Sequence, residues 1–260
     1  MLSIATLVGA LAHPLLTGAA LATGFLNTMA GGGAIVTFLT LTAVGVPALT
    51  AHVTSQFVTP ASFLPSLLDL ATTPAASRPQ PPRALLLAGM AGTLGGVAIL
   101  AVTPPGTFRA IAPFVLIPAG LLIPAQALVQ RRGRRSQRGW PTGIVVALMV
   151  LCGLYAGLIG VGTGTLTLVT LGLAAGFRTM PLSRVLRIRN VILLGMSLTV
   201  SLIITATRLV DWDLVVTLIA PGVLGGWVGT RMMGRLPVPL LQGLIVVTAI
   251  AGGIWLALTS

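Results

Sequence analysis

The chain interrupts an apolar segment near its start with the stretch Gly24-Phe-Leu-Asn-Thr-Met-Ala-Gly-Gly-Gly-Ala-Ile35. It interrupts another with the stretch Gly153-Leu-Tyr-Ala-Gly-Leu-Ile-Gly-Val-Gly-Thr-Gly164. A shift of 129 residues superposes the two stretches with three glycines in register. Glycine-rich interruptions at matching places in two halves of an apolar chain are typical of a transporter's substrate site.

Two interpretations of these glycines are open. A broken helix is tolerated in a bilayer only where the freed backbone is buried in protein or lines a cavity, which predicts a binding site. Alternatively, the glycines only let neighbouring helices pack closely, as small residues do in membranes. The occurrence of both stretches in register favours the functional interpretation.

The composition is that of a membrane protein. Hydrophobic residues make up 55% of the 260 residues, charged residues only 7%, and the mean hydropathy is +1.05. A soluble domain carries about 25% charged residues. We therefore expect an all-α polytopic membrane protein. Because the N-terminus lacks a basic region, we expect its first apolar segment to remain as a span.

The formal charge of +12 arises from fifteen arginines and three aspartates. The arginines lie between apolar blocks, which indicates topology signals and contact with the lipid bilayer rather than with nucleic acid. The single cysteine, Cys152, excludes an intrachain disulfide and a cysteine metal cage. Paired carboxylates, a Ser-His-Asp order and a phosphate loop are all missing from the sequence, so we expect no enzyme, no metal site and no cofactor.

The apolar segments divide into two sets of five. We interpret residues 1–129 as a first transmembrane repeat, 130–139 as a basic connector and 140–260 as a second repeat. Because five segments is an odd number, we expect inverted repeats with glycine-rich helix breaks near the midplane. The segments are Leu2–Ala22, Ala34–Val44, Ala48–Leu70, Ala84–Val102 and Phe108–Val129, then Trp140–Leu158, Thr165–Ala175, Leu182–Thr207, Leu214–Met233 and Leu240–Leu258.

The second segment of each half, 34–44 and 165–175, is shorter than the roughly 20 residues that a helix needs to cross a bilayer. Each is either re-entrant or completes its crossing with the glycine stretch before it. If all ten segments cross, ten arginines collect on one face and two on the other. That asymmetry favours ten crossings in the plasma (inner) membrane, with the connector in the cytoplasm and both termini outside.

The segment Leu182–Thr207 carries three arginines before it becomes apolar. Arg184 lies near the basic end, where an arginine can extend to the surface. Arg187 lies deeper, and Asn190 follows three residues later on the same helix face. An arginine inside a membrane normally faces a cavity or a partner, and no acid lies near it in sequence. We therefore predict that Arg187 and Asn190 bind an anionic ligand.

The glycine breaks supply further candidate contacts. A helix that begins after such a break presents unpaired N–H groups and the positive end of its dipole to the break, a suitable place for a small oxyanion. In the first half, polar residues replace apolar ones on the third segment, and His52 there is the candidate for a coupled proton. The other predicted substrate contacts are Asn27, Gly31, Gly32, Gly33, Thr54, Ser55, Gln56, Gly160, Gly162, Thr163, Gly164 and Thr165.

These motifs resemble the TauE/SafE-type sulfite exporter family over nearly the whole chain. In the first half the resemblance rests on Gly24–Gly33, Gly45-Val-Pro47 and Thr54-Ser-Gln56. In the second half it rests on Gly153–Gly164, Arg187-Ile-Arg-Asn190, Leu209-Val-Asp-Trp212 and Gly222-Val-Leu-Gly-Gly-Trp-Val-Gly-Thr-Arg231. Where the family carries two lysines, this chain has Gln56 and Arg187, which leaves one basic centre instead of two.

The resemblance implies a secondary transporter that exports a small sulfur-containing or organic anion, sulfite first of all, by alternating access. An anion channel, or an importer of a sulfonate or sulfur oxyanion on the same fold, is the alternative. The expected partners are the anion and the lipid bilayer, and a homodimer is the one protein assembly that we include among them. A membrane-embedded enzyme or scaffold subunit would need a cluster of acids or a metal shell, which the sequence lacks.

Overall fold

A computed structural model describes residues 13–73, 81–104, 106–107, 139–177, 180–205, 210–233 and 235–259. Within these ranges the protein is all helical, as predicted. The helices are α1 (His13–Met29), α2 (Ala34–Ala43), α3 (Ala48–Thr72), α4 (Arg83–Ala101), α5 (Thr142–Leu158), α6 (Thr163–Leu173), α7 (Leu182–Ile204), α8 (Trp212–Met232) and α9 (Val238–Thr259). The predicted segment Phe108–Val129, the connector up to residue 138 and the start of the first segment lie outside the described residues.

Three of the described helices are long and apolar enough to cross a membrane by themselves. These are Arg83–Ala101, Leu182–Ile204 and Trp212–Met232. Large apolar side chains cover the outer faces of the bundle: Leu202 is 77% exposed and Val216 73% exposed. Such a surface suits hydrocarbon rather than water, because lipid chains are as apolar as leucine. The prediction of an all-α polytopic membrane protein is confirmed.

Prolines mark the starts of the helices. Pro47, Pro82, Pro141 and Pro181 immediately precede α3, α4, α5 and α7. A proline lacks the N–H group that a helix interior needs but fits at its first positions, where that group has no partner inside the helix. Pro47 and Pro181 therefore mark the end of the loop before each helix.

Each glycine break is the turn of a helical hairpin. In the first hairpin, Thr23 of α1 hydrogen-bonds the Thr37 hydroxyl of α2 at 2.7 Å, so the two helices run antiparallel. In the second, the Trp140 N–H before α5 donates to the carbonyl of Leu173 at the end of α6, at 3.0 Å. A helix of ten residues, like α2, is about 15 Å long, half the thickness of the hydrocarbon core. The location of the turns near the midplane stays a prediction.

The two breaks begin later in the chain than the sequence predicted. Helix α1 continues through Gly24 to Met29, and α5 continues through Gly153 to Leu158. Gly24 and Gly153 are packing residues, because a Cβ atom on either would overlap a backbone carbonyl of a neighbouring helix. The interpretation of glycines as close-packing residues is correct for these two positions.

The hairpin turns touch each other. The Gly164 N–H donates to the Gly31 carbonyl at 3.1 Å, and the Thr165 hydroxyl donates to the Ala30 carbonyl at 3.2 Å. A Cβ atom on Gly31 would overlap the Cα atom of Gly164, so neither position has room for a side chain. The turn that contains Gly31 also needs a left-handed backbone, with φ +75°. The two turns thus form one joint in the centre of the molecule.

Helices α3 and α7 cross this centre in opposite directions. Near one end Asn190 of α7 donates to the Ser66 hydroxyl of α3 at 3.1 Å, and near the other Ser201 donates to the Gln56 carbonyl at 3.5 Å. The residue number rises on one helix as it falls on the other, which defines an antiparallel pair. A cavity between these helices is therefore bounded by both halves of the chain.

The remaining long helices are exchanged between the halves. Helix α8 packs on α1 and α3 of the first half, whereas α4 packs on α5 and α7 of the second. In both cases glycines allow close approach: Gly225 faces the Leu21 carbonyl, and Gly96 faces the Leu154 carbonyl. Gly225 and Gly96 are 129 residues apart, the same shift that relates the two breaks. This pairing supports two inverted repeats, which stay a prediction, as do the repeat boundaries.

Candidate functional site

A cavity lies where the two hairpin turns meet α3 and α7. Its empty volume is about 410 Å³, which includes open solvent at its mouth. One part of the wall is polar or bare backbone and the other is apolar. The lining residues are Asn27, Gly31, Gly32, Ala34, Gln56, Thr59, Phe63, Ala156, Gly160, Thr163, Gly164, Leu193, Met196, Ser197 and Val200.

The structure brings half of the predicted contacts together at this cavity. Those that line it are Asn27, Gly31, Gly32, Gln56, Gly160, Thr163 and Gly164. Gly33 and Gly162 lie immediately before α2 and α6 and shape the turns. Thr54, Ser55, Thr165 and Asn190 are buried nearby without lining the cavity, and Arg187 lies at the edge of the bundle.

Gln56 places a buried side-chain amide on the wall of the cavity. Its side chain is only 5% exposed, and its Nε2 atom has no hydrogen-bond partner among the described residues. The amide lies against Gly160, where a Cβ atom would come within 3.2 Å of Nε2. A buried donor without a partner is costly, because it has lost its bonds to water. A ligand with an acceptor oxygen in the cavity would satisfy it.

The N-terminus of α6 does not offer the free N–H groups that the sequence predicted. The helix begins at Thr163 rather than after Gly164. The N–H groups of Thr163, Gly164 and Thr165 already donate to the carbonyls of Gly160, Gly31 and Gly162. These three N–H groups are therefore not free to bind an anion, because the neighbouring turn and the chain's own backbone supply the acceptors, and ligand contact at this break stays a prediction.

Arg189, rather than Arg187, is the arginine buried at the centre. Its side chain is completely inaccessible to solvent. Its guanidinium donates to the carbonyls of Thr28 at 2.5 Å, Met29 at 3.3 Å and Asn27 at 3.4 Å. These are the last carbonyls of α1, which lack partners inside the helix and carry the negative end of its dipole. Arg189 thus caps the helix that ends at the first break.

Asn190 completes the cap without reaching the cavity. Its side-chain carbonyl accepts from Arg189 at 2.7 Å, and its amide donates to the Thr28 carbonyl at 3.2 Å. The same amide donates to Ser66, whose hydroxyl lies 2.9 Å from that of Thr230 on α8. The predicted ligand contact is therefore occupied by protein groups that connect α7, α1, α3 and α8.

The structure supplies a carboxylate partner for Arg187. Its guanidinium lies 2.6 Å from Asp69 of α3, and the two side chains are 35% and 41% exposed. Asp69 is 118 positions from Arg187 in the chain, so only folding brings this acid close to the arginine. Residues two apart on a helix point about 200° from each other, so Arg187 and Arg189 face opposite surroundings.

Replacing Arg187 with glutamine is expected to have a small effect. An exposed ion pair contributes about 1 kcal/mol or less to stability, because water and salt screen it. The free energy of unfolding and the affinity for small anions should therefore stay close to those of the wild type, the affinity within about threefold. Thermal unfolding and anion titrations on the Arg187→Gln variant measure both quantities. A tenfold weaker affinity would show that Arg187 contributes to anion binding after all.

His52 has a structural role at the second break. It is buried, its ring meets Phe38 edge-on at 5.9 Å between centroids, and it hydrogen-bonds the backbone at Leu158. Leu158 is the last residue of α5, and the 129-residue shift relates it to Met29, whose carbonyl Arg189 binds. One basic side chain of the opposite half thus contacts the end of each broken helix. A role for His52 in proton coupling stays a prediction.

Sequence comparison places the whole of this bundle in one family. The family model described as "Sulfite exporter TauE/SafE" matches residues 16–256. A curated relative, the probable membrane transporter protein ORF9 of Sinorhizobium sp, is 29% identical over 163 residues. That alignment covers 61% of this chain and 60% of the relative, so it spans less than two thirds of either protein.

Proposed function

The chain belongs to the TauE/SafE sulfite exporter family, and from that membership and the central cavity we propose that it is a secondary transporter of a small anion. Sulfite or a related sulfur-containing or organic anion is the proposed substrate, and export across the plasma membrane is the proposed direction. The proposed contacts are the predicted residues that line the cavity, with Gln56 as the principal donor.

One observation carries this proposal: the cavity joins a free buried donor to a nearby buried positive charge. Gln56 has a free N–H on the wall, and Arg189 hydrogen-bonds the carbonyl of Asn27, which is part of the same wall. A hydrogen-bond donor on the wall and a buried positive charge behind it favour an anion over a neutral molecule. The bare glycine backbone leaves room for a compact oxyanion.

Alternating access fits the way in which the halves meet. One backbone hydrogen bond and one threonine hydroxyl join the two hairpin turns, and α3 and α7 cross at the cavity. Rocking the packed unit of α1, α2, α3 and α8 against the unit of α4, α5, α6 and α7 would open the cavity to either side while each unit stays rigid, as in carriers built from inverted repeats. A channel would instead need a continuous open path.

Flux measurements test the proposed function. The purified protein in liposomes should move sulfite with a rate that saturates and depends on a counter-ion gradient. Flux that follows voltage alone would establish the channel alternative, and faster movement in the opposite direction under matched gradients would establish the importer. Sulfite, thiosulfate and sulfate should also raise the unfolding temperature if they bind the folded state, in the order of their affinities. The proposal would be refuted if no anion produced either flux or thermal stabilisation.

The proposed orientation places the connector in the cytoplasm and both chain ends outside. A cysteine introduced at Ser136 of the connector, in intact cells, should resist a membrane-impermeant thiol reagent and react after the membrane is permeabilised. The native Cys152 is buried and supplies the unreactive background. Ready labelling in intact cells would reverse the orientation.

A further inference from the structure

We propose that Arg189 sets the charge selectivity of the central cavity without touching the ligand, and that its single positive charge makes the cavity prefer monoanions. This inference rests on the proposed transport of a small anion and names the charge class of that substrate. Arg189 is a positioning residue here: it does not line the cavity, but it holds the backbone of Asn27, which does.

None of the three aspartates forms an ion pair with Arg189. All three aspartates lie among the described residues. Asp69 pairs with Arg187, Asp211 accepts from the Leu214 N–H at the start of α8, and Asp213 is exposed in the first turn of the same helix. In the part of the chain that the structure describes, Arg187–Asp69 is the one ion pair between a basic and an acidic side chain. A buried charge without a counter-charge is unfavourable, so the cavity gains from an anion.

The helix dipoles at the centre largely cancel. Each hairpin turn brings together the C-terminal end of one helix, α1 or α5, and the N-terminal end of the next, α2 or α6. A helix end carries about half an elementary charge, negative at the C-terminus and positive at the N-terminus. Two ends of each sign therefore sum to roughly zero, and the guanidinium of Arg189 is left as the net charge. One elementary charge neutralises one monoanion. A dianion would carry a second charge out of water without a counter-charge, and that desolvation cost exceeds its extra attraction to Arg189.

The distance from Arg189 to the cavity is short enough for a measurable effect. Its Nη2 atom lies 3.4 Å from the carbonyl oxygen of Asn27, so a ligand beyond that residue is on the order of 8 Å away. At an effective dielectric constant of about 20, a unit charge at about 8 Å changes the affinity for a monoanion by roughly 30-fold. A neutral ligand of the same shape is almost unaffected by the same charge.

Two substitutions separate the charge of Arg189 from its capping role. Arg189→Lys keeps the charge but has fewer donors in a different geometry, whereas Arg189→Gln keeps donors and loses the charge. The probes are methanesulfonate, a monoanion, and dimethyl sulfone, its neutral counterpart of similar shape. Both are titrated against the folded protein in detergent at one pH and salt concentration. Arg187→Gln is the matched control, because it removes a charge from the edge of the same helix.

The ratio of the two affinities is the informative readout. We expect Arg189→Gln to weaken methanesulfonate about 30-fold relative to dimethyl sulfone, and Arg189→Lys and Arg187→Gln to keep the wild-type ratio within about threefold. An unchanged ratio in a folded Arg189→Gln protein would overturn the inference. If that variant does not fold, the wild type alone decides: methanesulfonate should bind more tightly than methylphosphonate in its doubly charged form, and the reverse order would refute a monoanion site. If the wild type binds none of the anions, the proposed function fails instead.

Discussion

Transport is expected to be lost when Gly31 is replaced with valine, while the protein still inserts into the membrane. The new Cβ would overlap the Cα of Gly164 in the facing hairpin turn. Gly31 also has φ +75°, a region in which a β-branched residue is strained by about 1–3 kcal/mol. The two turns would have to move apart, which breaks the Gly164–Gly31 hydrogen bond and opens the wall of the cavity. Liposome flux and anion-induced thermal stabilisation measure the loss.

Two glycines elsewhere in the first hairpin provide controls for this substitution. Gly45, after α2, shares the left-handed backbone with φ +93°, but a Cβ there would meet nothing within 4 Å. Gly18 of α1 is helical and also open. Gly45→Val isolates the backbone strain, and Gly18→Val isolates the added bulk, so both should keep most of the flux. Normal flux in Gly31→Val would show that the contact between the turns has no part in transport.

A second large effect is expected at Gly225, where valine should prevent the bundle from assembling. A Cβ at this position of α8 would overlap the Leu21 carbonyl of α1. A backbone atom cannot move aside by changing rotamer, so the helices must separate, which exceeds the 1–3 kcal/mol of ordinary overpacking. Close approach of backbones is the main source of helix association in lipid. We expect little folded protein in detergent, measured by size-exclusion chromatography and thermal unfolding.

The same substitution at two other glycines tests the cause. Gly96 of α4 faces the Leu154 carbonyl of α5 in the same way, so Gly96→Val should be as damaging. Gly243 of α9 has nothing within 4 Å of its Cβ position, and Gly243→Val should fold like the wild type. Equal yields of folded protein from all three variants would show that glycine packing does not hold these helices together.

The amino-acid sequence determined the class of the protein and most of its helices. Hydrophobic content and prolines are local signals, so the predicted segment Ala34–Val44 became α2 and Ala48–Leu70 became most of α3. The break glycines were also found from their spacing. Gly31, Gly160 and Gly162 adopt the left-handed backbone that only glycine takes without strain.

The sequence could not separate the two uses of glycine within one stretch. Gly24 and Gly31 belong to the same motif, but one packs a continuous helix against Gly222 and the other turns the chain. What distinguishes them is the neighbour that each meets across the bundle. That neighbour lies about 200 residues along the chain from Gly24 and about 130 from Gly31. Only folding brings each glycine into contact with its neighbour.

The choice among the arginines was decided by tertiary structure. The sequence placed Arg187 and Arg189 on one helix and required that a buried arginine have a partner. Only the packing of α3 against α7 brings Asp69 to Arg187, and only the end of α1 brings three carbonyls to Arg189. Local sequence specifies which residues carry charge, whereas the burial and the partners of each charge depend on segments that meet only in the folded protein.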